Sequence, residues 1–194
     1  MKKLLLSALV ATVGFANAQK LETGFKIGYV NSTLHLEAMG QQYKPNAKSS
    51  VYIAMPVSYK VNKYVSLHGE LGMAGLGAEN LIMDNNERSR LHLTTVYIPL
   101  GVKFTPIESL GILGGFNLGF VTKALGKQNG QDVEFTDIRK GNHSIFLGGE
   151  YKITKSIFVE TRYNIGLSNL YPTNDITMKN NFLQIGVGYL FDKF

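Results

Sequence analysis

The chain has 194 residues, of which 21 are glycine and none is cysteine or tryptophan. This length fits one ordinary domain, and the lack of cysteine excludes disulfide frameworks, thiolate metal sites and cysteine nucleophiles. The formal net charge is +6, but Lys2 and Lys3 contribute two of these charges, so a chain that loses them gains little nucleic-acid affinity from charge.

The first 18 residues have the three parts of a secretory signal peptide. Lys2 and Lys3 form a basic start, residues 4–15 are apolar, and Ala16-Asn17-Ala18 provides a small-residue cleavage site. A membrane-spanning helix needs about 20 apolar residues, and no later segment of the sequence reaches that length. We therefore predict a signal peptide at 1–18 and one mature domain at 19–194.

The mature chain alternates between apolar and polar residues and shows no convincing helical spacing. Ile157, Val159 and Thr161, for example, fall on one face of a strand that carries Glu160 and Arg162 on the other. The same alternation predicts eight strands, at about 23–34, 50–60, 64–76, 91–104, 110–122, 143–153, 156–168 and 182–191. The sequence therefore predicts an all-β protein.

Short and long connections between these strands alternate strictly. The short ones are turns rich in Asn, Pro, Ser and Thr, at residues 61–63, 105–109 and 154–155. The long ones are polar, at residues 35–49, 77–90, 123–142 and 169–180. Outer-membrane barrels have short periplasmic turns and longer extracellular loops. The pattern predicts an eight-stranded antiparallel up-and-down transmembrane β-barrel with both termini in the periplasm.

The charged residues of the strands share one face, which we assign to the lumen. A charge that faces lipid near mid-membrane costs about 2 to 4 kcal/mol for Arg and less for Glu, whereas charges inside a narrow barrel can pair. The predicted lumen charge network comprises His68, Glu70, Lys103, Glu150, Lys152, Glu160 and Arg162. We interpret it as a packed, mutually neutralising interior, because eight strands leave room only for side chains. A catalytic pair, Glu160 with Arg162 or His68 with Glu70, is the alternative.

Aromatic residues collect at the periplasmic ends of the strands, on the face opposite to the charges. They are Tyr59, Phe104, Tyr151, Tyr189 and Phe191. Aromatic residues are common in strands, but this does not explain why they gather at one end. Amphipathic rings prefer the headgroup level of a membrane, so these five residues are predicted to form a periplasmic aromatic belt.

Three segments of the sequence resemble the PorT-like outer-membrane β-barrel proteins. They are YIPLGVKF at 97–104, FVETRYNIGL at 158–167 and IGVGY at 185–189. The resemblance spans most of the mature chain and implies an eight-stranded barrel in the outer membrane. The namesake of that family takes part in protein secretion across the outer membrane, and most members have no assigned activity. The motifs specify a barrel and no chemistry.

Three histidines, His35, His92 and His143, fall near the predicted extracellular strand ends, where a rim enzyme would need a nucleophile and a base within reach. His143 directly precedes Ser144, but adjacent residues of a strand point to opposite faces. The sequence contains no phosphate loop or zinc-binding helix motif. We therefore predict no enzymatic activity, no cofactor and no metal, with a rim hydrolase of lipids or peptides as the minor alternative.

The long loops form the predicted interaction surface, because binding residues concentrate on loops that a rigid scaffold presents. Basic residues in the third loop, such as Lys123 and Lys140, favour contacts with anionic lipopolysaccharide. The predicted partners are outer-membrane lipid, lipopolysaccharide, the barrel assembly machinery and a protein bound through the loops, with no nucleic acid. The leading prediction is a structural or interaction scaffold. A secretion accessory and a rim enzyme are the alternatives, and a soluble periplasmic barrel with an apolar cavity is the architectural rival.

Overall fold

The structure is a computed structural model that describes residues 21–38, 40–82, 88–128, 131–135, 138–171 and 176–191. The predicted signal peptide at 1–18 lies outside the described residues. The described residues contain strands β1 (Leu21–Ala38), β2 (Gln41–Tyr43), β3 (Asn46–Lys60), β4 (Val65–Ile82), β5 (Arg88–Ile107), β6 (Leu110–Gln128), β7 (Gln131–Glu134), β8 (Ser144–Lys152), β9 (Ile157–Gly166) and β10 (Ile176–Leu190).

Eight long strands form a closed antiparallel barrel. Its order is β1, β3, β4, β5, β6, β8, β9, β10, and β10 pairs back onto β1 from Gly24↔Leu190 to Ala38↔Ile176. The short strands β2 and β7 are added at the extracellular end, where they pair with β1 and β6. The predicted all-β class, strand number and up-and-down topology are confirmed.

None of the described residues forms a helix long and apolar enough to cross a membrane.

The periplasmic turns are short because local side chains satisfy their backbone donors. The Asn62 Oδ1 atom accepts hydrogen bonds from the backbone N–H groups of Tyr64 and Val65, at 2.8 and 2.9 Å. The Thr154 Oγ1 atom similarly accepts from the N–H group of Ile157 at 2.9 Å. These are the turn roles expected of Asn and Thr, and they fix where the strands reverse.

The extracellular ends of several strands extend beyond their predicted limits. β4 continues to Ile82, β5 begins at Arg88 and β6 continues to Gln128. Much of the predicted loops at 77–90 and 123–142 is therefore strand. The prediction ended too early because the outward residues turn polar in this part of the chain, where the barrel no longer faces an apolar environment.

The outward face carries an apolar band of nearly constant height. Five successive outward positions are apolar or glycine on each of four strands, across residues 51–59, 96–104, 112–120 and 183–191. Each span covers nine residues, which matches the roughly 9–11 residues that a tilted strand needs to cross a bilayer. The next outward positions toward the extracellular end are polar, as at Ser49, Thr94, Thr122 and Asn181. These positions mark the upper edge of the band.

The inward face has a different filling at each level. The middle of the band contains charged side chains, whereas the extracellular half contains a hydrophobic core. Members of this apolar core include Val30, Leu34, Tyr52, Leu76, Leu91, Leu93, Tyr97, Val121, Leu170, Met178 and Phe182. Loop residues Phe135, Ile138 and Tyr171 pack against it from above. The apolar core was not predicted from the sequence.

A glycine in β4 ties two non-adjacent strands together within this core. Gly77 has a φ of 124°, in the left-handed region that glycine tolerates. A Cβ atom there would meet the carbonyl oxygen of Leu91. The Ser32 hydroxyl of β1 donates to the Gly77 carbonyl at 2.7 Å and accepts from the Gly77 N–H group at 2.8 Å. Both backbone polar groups of Gly77 therefore bond to one side chain of β1 across the interior.

Candidate functional site: the charged interior and the rims of the barrel

Glu70 is the centre of a buried charge cluster at mid-membrane height. Its Oε1 atom lies 2.7 Å from Lys26 Nζ, 2.6 Å from Arg162 Nη2 and 2.8 Å from His68 Nε2. The other ring nitrogen of His68 lies 2.9 Å from the Ser58 hydroxyl. Side chains from β1, β4 and β9, no two of which are adjacent in the sheet, thus meet across the lumen at one carboxylate.

Glu160 completes the cluster with the same two cations. It lies 2.7 Å from Lys26 Nζ and 3.0 Å from Arg162 Nη2. Two acidic and two basic side chains are therefore paired, and Arg162 also lies over the ring of Phe146 at 4.5 Å from its centroid. Lys26 and Arg162 are each only 1% exposed. Buried charges are tolerated when they are paired in this way, and removing one partner is strongly destabilising.

Lys26 is a member of this cluster that the sequence analysis missed. It lies between Phe25 and Ile27, which are both exposed on the outward face of β1. The alternation argument used for the other strands places Lys26 inside when applied to β1. The alternation of apolar and polar residues in β1 is therefore the sequence signal that identifies Lys26 as an inward residue.

The remaining predicted lumen residues form separate contacts nearer the periplasm. Lys103 pairs with Glu150 at 2.6 Å, and both side chains are buried. Lys152 lies 3.4 Å from Glu22, which also binds Lys60 at 2.9 Å. The structure therefore brings His68, Glu70, Glu160 and Arg162 together. It does not place Lys103, Glu150 or Lys152 in the same cluster.

The predicted belt residues lie outside the barrel at its periplasmic end. Phe104, Tyr151, Tyr189 and Phe191 are exposed, and Tyr59 is half-buried. Their role at the headgroup level stays a prediction. Near the upper edge of the band, Tyr29, Phe120 and Tyr163 are also exposed on the outward face. Their common height depends on the strand register, so alternation in the sequence alone does not align these three residues.

Aromatic rings surround the rim histidine His143. His143 packs against Phe116 and Phe120, with ring centroids 6.1 and 5.7 Å apart. Ser144 points into the barrel, where its hydroxyl accepts a hydrogen bond from Asn117 at 3.2 Å. The described part of the chain also contains no group of three His, Cys, Asp or Glu residues placed to hold a metal ion.

His92 takes part in a basic contact just above the apolar band. Its Nδ1 atom lies 2.6 Å from Lys48 Nζ, and its ring passes beside Gly75, where a Cβ atom would meet it. Burial, and then the charge of Lys48, lower the pKa of His92 below its ordinary value. Arg90, two residues away on the same face, is exposed. Glu79 also acts electrostatically on Lys48, so the outer wall carries three basic side chains and one carboxylate at the upper edge of the band.

A closed barrel with an apolar band outside and charges inside defines the class of transmembrane β-barrel proteins. The family model for the outer membrane protein beta-barrel domain matches residues 4–191. The chain belongs to this family, and it is an outer-membrane protein of the Gram-negative type. The PorT-like resemblance is a finer assignment that this match does not confirm.

Solved structures of small outer-membrane barrels share this fold. Ail, the attachment invasion locus protein of Yersinia pestis, is 19% identical, with 88% of this chain and 98% of that chain covered and a TM-score of 0.52. Ail in complex with the heparin analogue sucrose octasulfate has a TM-score of 0.53 at 19% identity, with 89% and 99% covered. Neisserial surface protein A has a TM-score of 0.58 at 12% identity, with 88% and 97% covered. No curated protein matches the sequence.

Proposed function

We propose that this protein is a non-enzymatic scaffold of the outer membrane, a plugged barrel that presents its extracellular extension to a partner. The observation that carries the proposal is the filling of the interior at two successive levels. The charge cluster around Glu70 fills the middle, and the apolar core fills the extracellular half. An eight-stranded barrel has little space beyond its own side chains, so this filling favours a support over a conduit.

The extension above the band supports an interaction role. β4, β5 and β6 continue as paired strands above the lipid-facing band, with Leu91↔Gly126 and Ala78↔Leu91 among their partners. A paired and internally packed extension holds its loops in place, and scaffold-held loops are where binding residues concentrate. The short strand β7 adds an exposed apolar side chain, Val133, at the same end.

The basic residues on the outer wall favour lipopolysaccharide as a partner. Lys48, His92 and Arg90 lie where the outward face changes from apolar to polar, which is the height of lipid headgroups. A lowered pKa keeps His92 neutral, so the Lys48 ammonium donates to it, and an approaching phosphate would favour protonation of both. This cluster differs from the third-loop lysines on which the sequence-based proposal rested.

Conductance and partner presentation test the scaffold proposal separately. The purified protein in planar bilayers is expected to give no steady conductance, and regular channel openings would overturn the plugged interior.

A variant in which residues 80–88 are replaced by an Asn-Gly hairpin turn should keep the heat-dependent gel shift of a folded barrel. When it is expressed in a deletion strain, this variant should fail to restore the cell-surface phenotype that the wild-type protein restores. Full complementation by this variant would show that the connection between β4 and β5 is not needed for the function.

The secretion and enzyme alternatives predict other outcomes. A secretion accessory, suggested by the PorT-like resemblance, would cause loss of exported proteins when the gene is deleted. A rim enzyme would change lipid A or peptides in a way that His92→Ala or His143→Ala abolishes. We expect neither effect, and comparison of the exported proteins and lipid A of wild-type and deletion strains by mass spectrometry decides the question.

A further inference from the structure

The periplasmic mouth of the barrel opens into a basin of about 740 Å³. The inward-facing ends of the strands form its walls, and the three periplasmic turns form its rim. The buried Lys103 side chain, 5% exposed and paired with Glu150, lies on the basin wall toward the interior. This volume falls in the range of about 300–1,000 Å³ that ligand sites in proteins occupy. The mid-membrane cluster around Glu70 lies further inside, so a ligand enters from the periplasm and stays there.

The basin has an excess of positive charge. Five lysines line it, Lys60, Lys63, Lys103, Lys152 and Lys155. Two carboxylates, Glu22 and Glu108, line it with them, and the buried Glu150 neutralises Lys103. Five lysines against three carboxylates leave an excess of two positive charges. Burial alone raises the pKa of Glu22, but the hydrogen bond from Lys60 and the charge of Lys152 outweigh it and hold that pKa below its ordinary value. A carboxylate placed in the basin is therefore stabilised in its charged form.

The arrangement of the lysines indicates what kind of anion fits. They come from several strands and from separate turns, so the positive charge is spread around the basin and not focused on one point. Lysine is a flexible point charge and lacks the planar fork with which Arg grips a single phosphate or carboxylate. Hydroxyl and amide groups between them, such as those of Asn62, Thr105 and Ser109, can bond peptide groups. This combination suits an extended segment with several spaced carboxylates.

We propose that the periplasmic basin is a binding site for an acidic peptide segment of a periplasmic protein. The site lies at the opposite end from the extension invoked for the scaffold function and does not depend on that function. The barrel would then hold one partner on each side of the membrane.

Binding of a labelled tetraglutamate peptide to the full-length protein in detergent, followed by fluorescence anisotropy, tests the site. Lys63→Gln with Lys155→Gln removes two cations of the exposed turns, and we expect binding about three- to tenfold weaker. Glu22→Gln frees Lys60 and Lys152 from their carboxylate partner, and we expect binding about two- to fivefold tighter. An increase in affinity is an effect that mere loss of structure does not produce.

The matched control is Lys123→Gln with Lys140→Gln, which changes the net charge equally at the extracellular end, where both residues are exposed. It should leave peptide binding unchanged. The proposal is overturned if the control weakens binding as much as the basin variant does. It is also overturned if tetraglutamine binds as well as tetraglutamate, or if inorganic phosphate displaces the peptide at equal concentration, because the site would then be nonspecific or a simple anion site.

Discussion

The lower and upper halves of the barrel are built with opposite radial polarity. In the lower half, apolar residues such as Leu100 and Leu71 face outward, and the charges of Glu70 and Arg162 face inward. In the upper half, outward positions such as Thr94 are polar, and inward positions such as Leu93 are apolar and fully buried. One strand, β5, carries both patterns.

The environment outside the wall explains the reversal. Lipid requires an apolar exterior, which leaves the interior as the place where charged groups can pair. Water requires no such exterior, so toward the extracellular end the interior can take a hydrophobic core like that of a soluble protein, and this core begins at Tyr52 and Tyr97, just inside the upper edge of the band. The height at which the outward residues change from apolar to polar is therefore expected to mark the membrane surface.

The largest expected effect comes from unbalancing the charge cluster. Arg162→Met leaves Lys26 facing both Glu70 and Glu160, and we expect a loss of about 3–5 kcal/mol in the free energy of unfolding. The double variant Arg162→Met with Glu160→Gln leaves one cation and one anion and should lose less. Denaturant unfolding in detergent micelles measures both. Equal losses would show that packing, and not charge balance, holds the lower half.

A cavity in the upper half is expected to be nearly as costly. Leu93 is fully buried in the apolar core, and Leu93→Ala should reduce the free energy of unfolding by about 2–5 kcal/mol. Thr94→Ala on the opposite face of the same strand should change it by no more than about 0.5 kcal/mol. A small effect of Leu93→Ala in the same denaturant series would mean that the extracellular half contributes little to stability.

Charge substitutions on the outward face locate the reversal directly. Leu100→Arg places a cation near the middle of the apolar band and should cost about 2–4 kcal/mol in lipid vesicles. Thr94→Arg lies on the same face of β5 above the band and should cost about 0–1 kcal/mol. If both variants unfold at the same denaturant concentration, the lipid boundary does not lie between these two positions.

The smallest expected effect is a pH dependence at the boundary. The pKa of His92 is lowered by burial and by Lys48, so the unfolded chain takes up this proton more readily than the folded protein. As the pH falls below about 6.5, the folded state loses stability through His92. His92→Gln should flatten this part of the profile, and Lys48→Gln should raise the pKa of His92 in an NMR titration. An unchanged His92 titration in Lys48→Gln would rule out the coupling.

Alternation in the sequence was enough to predict the barrel and to put Glu160 and Arg162 on the inward face. It does not reveal which inward residues meet, because Lys26, Glu70 and Glu160 come from strands that are not neighbours and touch only across the closed lumen. It also does not reveal the apolar core. Residues near 77–90 were predicted as a loop because their outward positions are polar. Above the lipid, however, polar residues face outward and apolar residues face inward in a strand.

The seam between β1 and β10 sets the order in which this barrel can be built. The seam pairs the first and last strands of the barrel, from Gly24↔Leu190 to Ala38↔Ile176, so it cannot form before the last strand is available. Contacts between such distant parts of a chain make folding slow. Until the seam closes, two long strand edges stay unpaired, and unpaired edges invite aggregation. Shielding these edges during transit through the periplasm is therefore a requirement that the topology itself imposes.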